Sequence, residues 1–189
     1  MAKNLYDLAE GIRKCTACPL HKKRMLAVPG EGTVSAKLFF VGEAPGSEED
    51  RQGLPFVGRS GKFLDEMFNL VGIKREEVFI TGSVKCHPEN NRNPKAGELK
   101  TCKKLWLDTQ IEIVKPEIIV LLGRVALQNF LGNKYKLDLD HGKIIGVDFN
   151  SSGKKQKFFL IYHPSAGRRF PEIRKKIQAD FKKMIKLSL

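Results

Sequence analysis

Residues 37–46 read Lys-Leu-Phe-Phe-Val-Gly-Glu-Ala-Pro-Gly, a mostly apolar run that passes straight into a turn made of two glycines and a proline. A short apolar run ended by turn residues reads as a strand buried on both faces. The same pattern recurs at Val78–Thr81, Glu117–Leu122 and Lys157–Tyr162. Helical periodicity fills the intervals at Ser60–Val71, Ala96–Val114 and Arg124–Leu131, and Pro171–Leu187 closes the chain. Alternating strands and helices predict an α/β fold: a doubly wound, mainly parallel four-stranded sheet flanked by helices, with a ligand crevice outside the carboxyl ends of the strands. Tyr135–Gly153 reads as a small hairpin before the last strand, because His141-Gly142 and Ser151–Gly153 are turn-like. A length of 189 residues with no internal repeat or composition shift predicts one domain over residues 1–189.

In such a sheet the loops at the carboxyl ends of the strands build the ligand site. Here those loops are Gly42-Glu43-Ala44-Pro45-Gly46, Lys85-Cys86-His87-Pro88 with Asn90–Pro94, Gly123-Arg124, and His163-Pro164-Ser165-Ala166. In a parallel arrangement all four reach the same crevice. Gly42 and Gly46 allow backbone N–H groups close to a ligand, and Pro45 stiffens the turn that presents them. An imidazole fixed at a strand end, as His163 would be, can donate a hydrogen bond to negative charge developing on a substrate. Taken singly, a five-residue loop is an ordinary connection and a lone histidine is more often structural.

Four cysteines stand at Cys15, Cys18, Cys86 and Cys102. Thiolates from three places in the chain can close around a tetrahedral zinc or an iron–sulfur cluster. The long gaps and the lack of a histidine at ligand spacing favour iron–sulfur, with structural zinc as the competitor. The first fifteen residues contain no apolar signal core and no stretch approaches the ~20 apolar residues of a membrane span, so a soluble, cytoplasmic protein without disulfides is expected. Lys and Arg number 34 against 21 Asp and Glu, a net charge of +13, and the isoelectric point is about 9.7. Such a field attracts a polyanion, and nucleic acid is the natural one. Part of the charge, as on Arg174–Lys186, is equally suited to a solvated helix face.

In order, GEAPG (42–46), Glu48–Asp50, LPFVGRSGKFL (54–64), VFITGSVKCHPENNRNP (78–94), LGRVAL (122–127) and YHPSA (162–166) resemble the family-4 uracil-DNA glycosylases over nearly the whole chain. The resemblance implies a monomeric DNA-repair hydrolase that flips a deaminated base out of DNA, cleaves its N-glycosidic bond and leaves an abasic site. It also implies that Cys15, Cys18, Cys86 and Cys102 hold a 4Fe-4S cluster. His163 would hydrogen-bond the O2 of the departing base, assisted by the turn of Gly42, Ala44, Pro45 and Gly46, and Phe56 would stack on that base. Glu43 would orient the attacking water or balance the cationic sugar; the better-known uracil glycosylases carry an aspartate one place later, where this chain has Ala44. The loop from Ser165 to Arg169 would insert at the gap left by the flipped nucleotide, with Arg168 and Arg169 available for phosphates and Arg92, Ser60 and Lys62 also contacting the DNA.

One position departs from the family pattern. The second strand in that family ends on an asparagine that reads the uracil edge, and the matching residue here is Gly82. A missing bidentate partner is worth about 1–3 kcal/mol of discrimination. Ser83 is adjacent, but neighbouring strand residues face opposite sides. Broadened specificity toward xanthine or hypoxanthine, or a damage-binding protein without turnover, are therefore the alternatives to uracil excision. His87 stands where the family often has arginine.

Overall fold

A computed structural model describes residues 4–148 and 155–188. Six strands form one sheet: β1 (Glu31–Gly32), β2 (Leu38–Gly42), β3 (Phe79–Gly82), β4 (Ile118–Leu122), β5 (Ile144–Asp148) and β6 (Lys155–Ile161). Among the described residues the helices are α1 (Leu5–Arg13), α2 (Ser47–Gln52), α3 (Arg59–Val71), α4 (Ala96–Cys102), α5 (Asp108–Val114), α6 (Arg124–Leu131), α7 (Leu137–Asp140), α8 (Pro164–Arg169) and α9 (Pro171–Ser188), besides short 3-10 turns.

The strand order is β1-β3-β2-β4-β6-β5. The four expected strands are its parallel centre, with Phe40 beside Ile80 and Val120, and Val120 beside Phe159. The expected count of four is corrected to six, because an antiparallel strand closes each edge. β1 is only two residues long and has no period to read. The segment expected to form a hairpin of its own before the last strand holds instead α7 and the single strand β5, which pairs antiparallel with that last strand, β6; the expected Ser151–Gly153 turn lies outside the described residues, while Gly142 takes a turn conformation with φ of 70°.

β2, β3 and β4 are buried along their full lengths, as continuous apolar runs require. Alternate residues serve opposite faces of the sheet. Phe40 meets Phe68 of α3 edge-on at 5.0 Å and Phe181 of α9 at 6.2 Å, while Phe39 stacks on Phe79 at 4.9 Å. The chain leaves β2 toward β3 and leaves β4 toward β6, so the order reverses between β2 and β4. A crevice opens at their carboxyl ends for that reason.

The helix expected over Ala96–Val114 is interrupted. A π-helical turn at Lys103–Leu107 separates α4 from α5. Trp106 lies in that turn, and its indole N–H reaches Cys15 Sγ at 3.2 Å. A π-bulge leaves no trace in hydrophobic periodicity, and such bulges gather at functional sites.

Candidate active site

A cleft of about 640 Å³ lies at the carboxyl end of the sheet, lined among others by Val28, Glu43, Ala44, Phe56, Gly82 and His163. Of the residues named from sequence, Glu43, Ala44, Pro45, Gly46, Phe56, Ser60, Gly82, Arg92, His163, Ser165, Arg168 and Arg169 line it together. Lys62 lines a neighbouring cleft of about 320 Å³ with Arg59, Phe63, Glu66, Arg168 and Arg174. Gly42 and Ser83 sit behind the wall: Ser83 is buried, and its hydroxyl donates to the Gly42 carbonyl at 2.8 Å.

His163 caps α8. The backbone N–H of Ser165 donates to His163 Nδ1 at 3.2 Å, and Ser165 Oγ stands 2.8 Å from the same nitrogen. An Nδ1 that accepts an N–H bond carries no proton, so the neutral ring holds its hydrogen on Nε2. Desolvation pushes the imidazole down to about 4, so it is neutral at physiological pH. The side chain is thus a neutral hydrogen-bond donor of fixed tautomer.

Glu43 is half-buried, and its carboxylate has no hydrogen-bond or ion-pair partner among the described residues. Burial raises its pKa. A carboxylate in this state, facing a cleft, is poised to interact with a positive or proton-bearing substrate group.

Phe56 adopts φ of 50°, a costly conformation for an aromatic residue and one that collects at functional sites. Its ring centroid is 6.0 Å from that of His163, with the planes tilted by 33°. Three features that sequence reading missed hold this loop in place. Arg75 donates to the Pro55 carbonyl at 2.6 Å and is itself gripped by Glu31 and Asp65, each at 2.6 Å. Gly61 leaves room for the Phe56 carbonyl, which a β-carbon would approach to 1.7 Å. Glu49 receives N–H bonds from Gly46 at 3.0 Å, Val57 at 3.0 Å and Gly58 at 2.8 Å, clamping the GEAPG turn to the Phe56 loop. Besides its place in the Glu48–Asp50 stretch of the family resemblance, its sequence signal is the glutamate three places after Gly46, a capping-box position. The same clamp occupies the Gly46 and Gly58 N–H groups that an anion would otherwise meet.

At position 82 the cleft wall is bare backbone. A β-carbon built there would point toward the Glu43–Ala44 turn, 3.6 Å from Ala44 Cα, but would lie 2.8 Å from the Val84 carbonyl. His87 packs against the same turn, its Nδ1–H donating to the Pro45 carbonyl at 2.8 Å. Arg92 spends both guanidinium ends on the buried carboxylate of Glu98, at 2.9 and 2.7 Å.

Behind the cleft, Cys86 and Cys102 are buried beside Leu20 and Val84 with Cys18 packed against them. All four cysteines are free thiols. Their mutual repulsion as thiolates adds to the effect of burial, which pushes Cys18 and Cys86 up and takes Cys102 to about 12. A bound cation reverses that penalty, so this is a donor set that a positive metal group would satisfy. Two sulfurs already accept bonds from protein donors: Arg24 donates to Cys86 Sγ at 3.0 Å and Trp106 to Cys15 Sγ at 3.2 Å. No three His, Cys, Asp or Glu side chains among the described residues are grouped so as to hold a single metal ion.

The family model for the uracil DNA glycosylase superfamily matches residues 29–186. The type-4 uracil-DNA glycosylase of Archaeoglobus fulgidus is 42% identical over 187 residues, covering 96% of this chain and 92% of its own. That of Saccharolobus solfataricus is 44% identical over 96% of this chain and 85% of its own. That of Thermotoga maritima is 43% identical over 93% and 90% respectively. With the matched segment running from residue 29 through every later wall residue of the cleft and α8 into the last helix, and with relatives of this closeness along its length, the chain belongs to the uracil DNA glycosylase superfamily, in its type-4 group.

Proposed function

We propose that this protein hydrolyses the N-glycosidic bond of uracil in DNA and leaves an abasic site. The observation that carries the reading is the meeting in one cleft of a neutral histidine, an unpaired carboxylate and a strained aromatic ring. Breaking the C–N bond leaves positive charge on the sugar and negative charge on the base. The Nε2–H of His163 donates to the base oxygen that gathers charge, and the Glu43–Ala44 turn closes on the base from the other side. Glu43 faces the cationic sugar and the incoming water, and its carboxylate form serves either partner. Phe56 supplies the π-face for the extruded base, which compensates part of the few kcal/mol that flipping costs.

Cys15, Cys18, Cys86 and Cys102 are the ligands for a 4Fe-4S cluster in this reading. Cys18, Cys86 and Cys102 pack together and Cys15 lies near enough to act on Cys86 electrostatically, which supports a cluster held by four thiolates. When bound, the cluster ties the first turns of the chain to the segment behind the cleft; hydrolysis needs no electron from it. Arg168, Arg169, Ser165 and Ser60 at the rim, with Lys62 in the adjoining cleft, meet the phosphates. We read residues 1–189 as one domain acting as a cytoplasmic monomer on damaged DNA; no helix among the described residues is long and apolar enough to cross a membrane.

Gly82 favours a second reading of substrate range. A wall without a base-reading amide has no group to select uracil over hypoxanthine or xanthine. Incubating the iron-loaded protein with oligonucleotides carrying each base, then scoring alkali-labile sites and free base, tests both readings. Release of uracil supports the proposal, and binding without release of any base overturns it.

A further inference from the structure

Lys85 is 1% exposed and carries one of the largest fully buried side chains in the protein. Its ammonium group donates to Thr81 Oγ1 at 2.5 Å, to the Gly82 carbonyl at 2.9 Å and to Gln110 Oε1 at 2.6 Å. Three donors meet three acceptors, so the group is saturated. The hydrogen-bond circuit closes: the Thr81 hydroxyl donates to the Pro29 carbonyl at 3.0 Å, and the Gln110 amide donates to the same oxygen at 2.7 Å. Thr81 and Gln110 are as buried as Lys85, so water does not substitute for any member.

The circuit has two outlets to the cleft. Gly82, held through its carbonyl, is the bare wall facing the Glu43–Ala44 turn. Val28, whose N–H donates to the Lys85 carbonyl at 2.8 Å, is another wall residue. On its other side Lys85 is bonded directly to Cys86. The glycosylase mechanism makes no use of this lysine, and it is too enclosed to touch DNA.

We infer that Lys85 is a positioning residue: its side chain and its carbonyl fix the Gly82 and Val28 walls of the base pocket to each other and to the segment that carries Cys86. The geometry explains why a lysine is kept where burial disfavours its charge. An apolar residue of equal length would leave the Thr81 hydroxyl, the Gly82 carbonyl and the Gln110 amide oxygen without a donor. It also makes the shape of the wall at 82 a property of backbone placement, since no side chain is there to define it.

The inference rests on base excision being the activity, and the test separates the two. Wild type, Lys85→Met and Thr81→Val are compared as iron-loaded proteins by single-turnover excision of uracil and of hypoxanthine, with binding to DNA bearing an abasic-site analogue and thermal melting measured alongside. A displaced wall costs about 10²-fold in the uracil rate for Lys85→Met. Thr81→Val, which loses one of the three acceptors and keeps its shape, costs about tenfold. In both, the uracil-to-hypoxanthine ratio falls and affinity for the abasic analogue stays within about twofold, since the phosphate contacts are untouched. If Lys85→Met does not fold, Thr81→Val decides alone. Lower melting temperatures with an unchanged uracil rate and base ratio per iron-loaded molecule would reduce Lys85 to a stability element and overturn the inference while excision stands. A wild type that releases no base overturns both.

Discussion

The ring of Phe56 lies directly over Gly42, so closely that a β-carbon at 42 would stand 2.6 Å from Phe56 Cζ. Gly42, named from its motif as a substrate contact, therefore acts through the aromatic in front of it. Gly42→Ala pushes that ring out of its seat and should remove most of the stacking on the flipped base, worth about 1–3 kcal/mol. Excision kinetics of Gly42→Ala, Phe56→Leu and the double variant check this. Non-additive losses are expected, because both substitutions disturb one contact.

The pH profile should carry an acid limb set by Glu43. Its carboxylate is the working form and burial raises its pKa, so activity falls as pH drops through a value above the usual range for a glutamate. His163 does not contribute to that limb above about 4, where it stays neutral. Single-turnover rates against pH should show the limb in wild type, and Glu43→Gln should be slow and flat over the same range.

Gly82→Asn is not a simple restoration of the family residue. The new β-carbon presses on the Val84 carbonyl at 2.8 Å, an overpacking of about 1–3 kcal/mol that should appear as a lowered melting temperature. An asparagine there supplies the base-reading amide that the family resemblance implies, so preference for uracil over hypoxanthine should rise by about 1–3 kcal/mol. A folded variant with the wild-type base ratio would show that position 82 does not read the base.

Loss of any thiol among Cys15, Cys18, Cys86 and Cys102 should abolish iron retention and lower the melting temperature, because the ligands come from distant segments. Trp106→Phe keeps all four thiols and removes only the N–H bond to Cys15. Outer partners of this kind contribute about 10–100-fold in metal affinity. Iron content after graded chelation should therefore rank wild type, Trp106→Phe and Cys15→Ser in descending order.

Much of the fold could be read from residues 37–46 and the three runs like them, because short apolar runs rich in β-branched and aromatic residues and followed by turn residues suit strands buried on both faces better than helices. The edges could not: β1 has two residues, and β5 shows no clean alternation of burial. The cleft was legible where a motif residue faces it, as at Glu43, Phe56 and His163. It was not legible where backbone hydrogen bonds do the work. Glu49, Arg75 and Lys85 act on carbonyl and N–H groups of distant loops, a relation with no local pattern. Arg92 shows the converse, a cation placed at the rim whose guanidinium is already held by Glu98.

Base excision by this cleft is tested most directly with His163→Ala, assayed for release of free uracil in a single turnover and for binding to the same oligonucleotide. Excision should slow by about 10²–10³-fold, the usual loss for one donor to a developing anion, with DNA affinity nearly unchanged. Excision at the wild-type rate, or rate and affinity lost together, would contradict the role assigned to His163 and the chemistry built on it.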